Sequence, residues 1–379
     1  MKRLFSLFIG VGTFAQVLAT PADSIQISLL TVLPRTNAVY TVFGHTALRV
    51  RDLAQGTDVV YNWGLFSFSE PNFIGRFVQG KAHYFLGVAP YNHFIYSYEA
   101  EGATMLEQIL TFTPEGLAGL LNAIEENLRP ENSVYRYSYV FDNCTTRVRD
   151  LLEQFSDNKL TYKEIPEDMQ TFRQQLHNCT ESDTWLTFGI DLLLGSGVDS
   201  LVSSRSTSFL PLRLKEAVDA PAQTIIGEPT VIAGLTRNPL TTVSIISGVL
   251  LALAIIFFLP RWVLSPLYIV AALAGCVVFY LNFFSLHPCV SQNFNLLWLN
   301  PLYFIALAGC FTKKHYRIIT WYHAINIALL LLFLLLWAFG WLPQTFNILD
   351  LAFIIPLLAA SLKYWVSSIS NCKKEYEKE

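Results

Sequence analysis

The segment Tyr137-Ser138-Tyr139-Val140-Phe141-Asp142-Asn143-Cys144-Thr145-Thr146-Arg147-Val148-Arg149-Asp150-Leu151-Leu152-Glu153-Gln154-Phe155 changes period partway along its length. After an aromatic lead-in, Val148, Leu151, Leu152 and Phe155 fall at i, i+3, i+4 and i+7, the spacing of one apolar helix face. Asp142 or Asn143 supplies the N-cap, because a short carboxylate or amide accepts from the free amides of the first turn. Cys144 is thereby placed in that first turn, where unpaired N–H groups and the positive end of the helix dipole stabilise a thiolate. It also lies four residues before Val148 and can touch the apolar face, so helix position alone leaves a structural cysteine open.

A base for such a thiol is sought upstream. Stretches 24–33 and 40–50 are rich in β-branched and apolar residues, and the second is followed by Gln55-Gly56-Thr57-Asp58 and then Val59-Val60-Tyr61-Asn62-Trp63. That order predicts a β-hairpin. His45 heads its first strand, and folding about Gln55-Gly56 brings Asn62 or its neighbours opposite the imidazole. An amide there would hold one ring nitrogen and turn the other toward Cys144. His83 and His93 are rival candidates for the base.

The six cysteines form no CxxC pair and have no metal-ligand spacing, so neither metal nor cofactor is expected. Cys144 and Cys179 are the two in the mixed N-terminal half, and a disulfide between them is the alternative to a reactive thiol. A net charge of −3 gives no broad basic field and argues against nucleic acid.

Hydrophobic residues make up 53% of the chain and charged residues only 15%, which points to a membrane-embedded part. Lys2-Arg3, an apolar run over 4–17 and Val17-Leu18-Ala19 predict a signal peptide, 1–19, cut after Ala19. Windows able to cross about 30 Å of hydrocarbon fall at 243–260, 263–285, 297–312, 318–339 and 348–367, the third being short. An exported N-terminus and five spans put Arg261, Lys313, Lys314, Arg317, Lys373 and Lys374 on the cytoplasmic side. Segments 286–296 and 340–347 carry no Lys or Arg, as outward loops require. The outward loop His287-Pro288-Cys289-Val290-Ser291-Gln292-Asn293-Phe294-Asn295, with Trp298 beyond it, is expected as an interfacial loop with an aromatic anchor, or as a lipid head-group contact. Asp191 and Asp199 are expected as solvated loop acids.

A His-bearing strand followed much later by Asn-Cys opening a helix resembles a circularly permuted NlpC/P60 (papain-like) domain. More closely, Gly44-His45, Tyr61-Asn62-Trp63-Gly64, the 137–147 block and Trp185-Leu186-Thr187-Phe188-Gly189-Ile190-Asp191-Leu192 resemble the DUF4105 domain. That domain is the periplasmic part of the Lnb-type lipoprotein N-acyltransferases of Bacteroidota. The resemblance implies an α+β fold: a permuted papain-like catalytic domain over 24–220, a connector over 221–242, an all-α transmembrane bundle over 243–367 and a cytoplasmic tail over 368–379. It implies an inner-membrane enzyme with catalytic Cys144, His45 and Asn62, and substrate-binding Tyr139, Asn143, Arg147 and Trp63.

The implied reaction moves an acyl chain from a membrane phospholipid, through a thioester on Cys144, to the α-amine of a diacylglyceryl lipoprotein. A membrane-tethered cysteine peptidase or peptidoglycan amidase is the main alternative. It calls for a solvent-open cleft. A non-catalytic lipid-binding assembly module, with Cys144 tied to Cys179, is the other.

Overall fold

The computed structural model describes residues 24–35, 41–67, 69–180, 184–228, 239–312 and 317–376. The expected signal peptide with its Ala19 cleavage site, and Lys313 and Lys314, lie outside these residues. The N-terminal half folds around β1 (Ile25–Val32), β2 (His45–Asp52), β3 (Thr57–Leu65), α1 (Phe73–Val78), β4 (His83–Pro90), α2 (Tyr91–Ala100), β5 (Met105–Leu110), α3 (Pro114–Leu128), β6 (Val134–Arg136), α4 (Cys144–Phe155), α5 (Phe172–Thr180), α6 (Thr184–Leu193), α7 (Pro211–Ala217) and β7 (Ala222–Ile226). The seven strands form one sheet in the order β6-β4-β3-β2-β1-β5-β7, with every pairing antiparallel. β7 falls in the stretch assigned to the connector, so the sheet reaches Ile226.

Alternation along the strands sends side chains to both faces. Leu29, Leu48, Tyr61 and Trp63 pack under Leu117 and Leu120 of α3, Val148 and Leu152 of α4, and Leu214 of α7. Leu30, Ala47 and Val60 turn the other way onto Phe94 of α2. The predicted hairpin forms, with Leu48 facing Tyr61 and Asp52 facing Thr57. Asp52 Oδ1 accepts from the amides of Ala54 and Gln55 and pins the turn.

The C-terminal half consists of α8 (Pro239–Phe257), α9 (Ser265–Phe284), α10 (Tyr303–Phe311), α11 (Arg317–Ala338) and α12 (Leu351–Tyr376). Three segments, Arg261–Phe284, Arg317–Ala338 and Ile348–Ser370, are long and apolar enough to cross a membrane. The span expected over 297–312 is helical only from Tyr303. Asn300 turns the chain by accepting from the Leu302 amide (3.1 Å), and Pro301 follows where a preceding helical residue is disfavoured. Trp298, expected at the interface, is buried instead, with its indole N–H on Asn295 Oδ1 at 2.8 Å.

The two halves meet where two helices end. Terminal carbonyls of a helix lack intrahelical partners, and the membrane half supplies them. Asn293 Nδ2 donates to the carbonyls of Leu192 (2.9 Å) and Leu193 (3.3 Å), Asn295 Nδ2 to that of Asp191 (3.1 Å), and Gln344 Nε2 to that of Leu194 (3.2 Å). At the end of α1, Ser285 Oγ donates to the Val78 carbonyl (2.8 Å), the Leu286 amide to that of Gln79 (2.9 Å), and His287 Nε2 meets that of Phe77 (2.7 Å). A Cβ on Gly195 would lie 1.8 Å from the Ser291 carbonyl oxygen, so only glycine permits this approach. The 287–295 loop is therefore a docking platform for the sheet domain, which the sequence expectation of a lipid-facing or ordinary interfacial loop missed.

Asp191 and Asp199 are not solvated. Arg173, 0% exposed, donates to Asp191 and Asp199 at 2.9 Å each, and Asn347 Nδ2 and the Thr345 amide reach the same two carboxylates from the membrane half. Burial of the two acids is tolerated because both accept from Arg173 and from further groups around them, His177 Nε2 at 2.7 Å from Asp191 included.

Candidate functional site

Cys144 is the first residue of α4, as the periodicity requires. Of the two possible caps, Asn143 takes the role: its Oδ1 accepts from the amides of Thr145 and Thr146 at 2.8 Å each, and the Asn143 amide donates to Thr146 Oγ1 at 2.8 Å. Its Nδ2 donates to the carbonyls of Tyr139 (2.8 Å) and Phe209 (3.0 Å). Asn143 is thus committed to holding the start of the helix. With the Thr145 and Thr146 amides engaged, the helix-terminal donor beside the sulfur is the Cys144 amide itself.

His45 opens β2, and Asn62 lies near the end of β3. Because Leu48 faces Tyr61, the two are diagonal neighbours on one face, and an irregularity in the β3–β4 pairing between Asn62 and Leu65 bends β3 there. Asn62 Oδ1 lies 2.6 Å from His45 Nε2. An amide oxygen only accepts, so that nitrogen carries the proton and Nδ1 is left for the Cys144 thiol, the partner that acts most strongly on the ring. His83 meets Arg76, and His93 is exposed on α2.

Gly64 follows two residues after Asn62 at φ +88, a conformation that side chains disfavour. A Cβ there would come within 3.1 Å of the Tyr137 ring and 3.7 Å of Cys144 Cβ. The glycine lets the thiol and the Tyr137 ring close over the strand end.

Electrostatics separate Cys144 from the other thiols described outside the membrane helices. Burial, at 6% exposure, works against its anion, but the charge and hydrogen bond of His45, the Thr46 amide and the Thr145 hydroxyl outweigh it and hold the thiol down to about 7. His45 is shifted upward: burial opposes the imidazolium, and the thiolate together with the hydrogen bonds to Cys144 and Asn62 overcomes it. At Cys179 and Cys289 burial outweighs the one opposing partner of each, the Arg213 charge and the Ser138 hydroxyl, and pushes each up to about 11. Cys144 and Cys179 are both free thiols and belong to different hydrophobic clusters.

The structure brings Cys144, His45 and Asn62 together. Trp63 is fully buried between sheet and α4, and Arg147 is held by Asp142 (2.6 and 2.9 Å) with its guanidinium 3.5 Å over the Tyr135 ring. Tyr139 is 43% exposed and meets the Tyr137 ring. Thr46, Gly64, Thr145 and Tyr137 complete the surroundings. Gly64, Thr145 and Tyr137 stand inside motifs already quoted and Thr46 directly follows one, but only the folded chain distinguishes them from their neighbours. Among the described residues no three His, Cys, Asp or Glu side chains converge as metal ligands.

An imidazole fixed by an amide and facing a depressed thiol at a helix N-terminus is an arrangement able to form and break acyl bonds. Comparison with known families finds that residues 17–178 match the Lnb N-terminal periplasmic domain and residues 236–378 the Lnb transmembrane domain. No curated protein and no solved structure matches the chain.

Proposed function

The chain belongs to the Lnb family, with a periplasmic N-terminal domain and a transmembrane C-terminal region, and from that premise we propose that it is a cysteine-dependent lipoprotein N-acyltransferase of the inner membrane. The observation that carries the proposal is the Cys144–His45–Asn62 relay, with its thiol held down to about 7 and its helix lead-in resting on the membrane loop. A thiol on a helix packed against the sheet, with its imidazole on an earlier strand, also supports a permuted papain-like fold.

In the first half-reaction Cys144 Sγ, its proton on His45, attacks a phospholipid ester carbonyl. The Cys144 amide faces the developing oxyanion. The ester C–O bond breaks, the leaving lysophospholipid oxygen takes the proton from His45, and a thioester remains. In the second, the α-amine of a diacylglyceryl cysteine attacks the thioester, His45 takes a proton from the nitrogen, and the C–S bond breaks. The products are an amide-linked chain and the free thiolate. Acyl bond energy is conserved throughout, so no nucleotide is consumed outside the cytoplasm.

Five membrane crossings, α8 to α12, would leave the tail in the cytoplasm and both substrates confined to one bilayer with the thiol. A Cys144 only 6% exposed, with the Tyr137 ring beside it at Gly64, supports transfer from lipid over cleavage of peptide cross-links in an open cleft. Mass spectrometry of mature lipoprotein N-termini in cells carrying the wild type or Cys144→Ser tests the reading. The third, amide-linked chain should disappear in the variant; its persistence would remove the assignment.

A further inference from the structure

From Cys144 a line of rings runs without a break to the membrane half. Tyr137 packs over Gly64 beside the thiol-bearing residue. Its ring meets Tyr139 edge-on at 5.5 Å between centroids, Tyr139 lies 6.4 Å from His287, and Phe77 closes the group at 6.5 Å from Tyr139 and 5.7 Å from His287. His287 belongs to the docking loop that follows α9, whose last residues Phe283 and Phe284 are exposed. Ile74, on the same short helix as Phe77, is 74% exposed.

We propose that the rings of Tyr137, Tyr139, Phe77 and His287 form the path along which the acyl chain of a membrane-resident diacyl lipid is drawn to Cys144, with Tyr139 setting selectivity for a lipid donor. The inference rests on the acyl-transfer reading and adds to it the binding surface for the donor chain. A carbonyl attacked at Cys144 must leave the glycerol level of the leaflet with its first methylenes. Each methylene exposed to water on the way lowers occupancy roughly fourfold. Rings in edge-on and tilted contact cover a chain while their polar atoms stay hydrogen-bonded, the behaviour that suits Tyr and His to a water–lipid boundary. Exposed Phe283 and Phe284 stand at the end of the apolar helix that leads into the His287 loop, and the reacting sulfur stands at the other end of the ring line, which selects an acyl chain over a peptide as its occupant.

The test uses full-length protein and two donors of Cys144 acylation: phosphatidylethanolamine–phosphatidylglycerol vesicles with sixteen- and eighteen-carbon chains, roughly the natural thickness, and water-soluble p-nitrophenyl acetate. Adducts on Cys144 are quantified by mass spectrometry. For Tyr139→Ala the ratio of vesicle loading to acetate loading should fall at least about tenfold, the scale of a lost hydrophobic contact in a binding site. Tyr139→Phe, which keeps the ring, should restore most of the ratio, and Phe77→Ala should lower it in the same direction. An unchanged ratio in Tyr139→Ala overturns the path, as does an equal loss with both donors, which would assign Tyr139 to holding the site together. Wild-type protein that accepts acetate but never a vesicle acyl chain would overturn the transfer reading itself, and the path with it.

Discussion

Replacing His45 by Ala should return Cys144 to an ordinary or higher titration range. In the intact site the thiol is held down to about 7, so about half is thiolate at pH 7. Without the imidazole its largest stabilising partner is gone while burial remains, and burial acts upward from the ordinary value of 9.0. Thiolate at pH 7 then drops to about one part in a hundred or less, a loss of roughly fiftyfold, equivalent to about 2–3 kcal/mol of preferential stabilisation. The sign is fixed: the partnered thiol keeps its anion above about pH 7 and loses it as pH falls, and the variant loses it from a higher pH. Iodoacetamide labelling followed by peptide mapping gives the assay, read as the midpoint of rate against pH so that intrinsic thiolate reactivity cancels. Cys179 and Cys289, pushed up to about 11, do not compete near neutrality. A wild-type midpoint near 9, or a His45→Ala midpoint still near 7, would refute the pairing.

Two further substitutions probe the frame around the thiol. Gly64→Ala introduces a Cβ at φ +88 and 3.1 Å from the Tyr137 ring; a loss of about 1–2 kcal/mol in thermal unfolding together with reduced Cys144 acylation is expected, and unaltered stability and loading would contradict it. Arg173→Met leaves Asp191 and Asp199 buried without their cation and should cost about 3–5 kcal/mol, read as a lower unfolding midpoint in detergent; partial recovery on adding Asp191→Asn and Asp199→Asn would confirm that unpaired charge is the cause.

Local signals told most about the site. The start of α4 was readable because capping and a period of three to four residues are written within a dozen positions, and the hairpin because Gln55-Gly56 interrupts two β-rich runs. Asn62 could be proposed as the orienting amide, yet the diagonal offset that lets it reach His45 is set by the exact register of β2 on β3, which the turn residues alone do not announce. Arg173 was invisible in a polar helical stretch, because its partners stand 18 and 26 residues away and their further partner Asn347 stands 156 residues from Asp191. Hydropathy overestimated the third span for a related reason. It counts apolar residues without registering that Asn300 and Pro301 delay the helix.

The capping of α1 and α6 by the membrane half divides the labour of recognition unequally. Ser285, His287, Asn293, Asn295 and Gln344 contribute side chains, while Phe77, Val78 and the residues from Asp191 to Leu194 contribute carbonyl oxygens that every amino acid possesses. Asp191 apart, whose carboxylate is itself held by Asn347, side-chain identity at those carbonyl positions is therefore less constrained by the joint than the polar residues above the membrane are. An N-terminal domain transplanted from a relative would have to preserve where its helices stop, together with Gly195 and the carboxylates of Asp191 and Asp199, in order to seat on this bundle, so few of its side chains decide the fit.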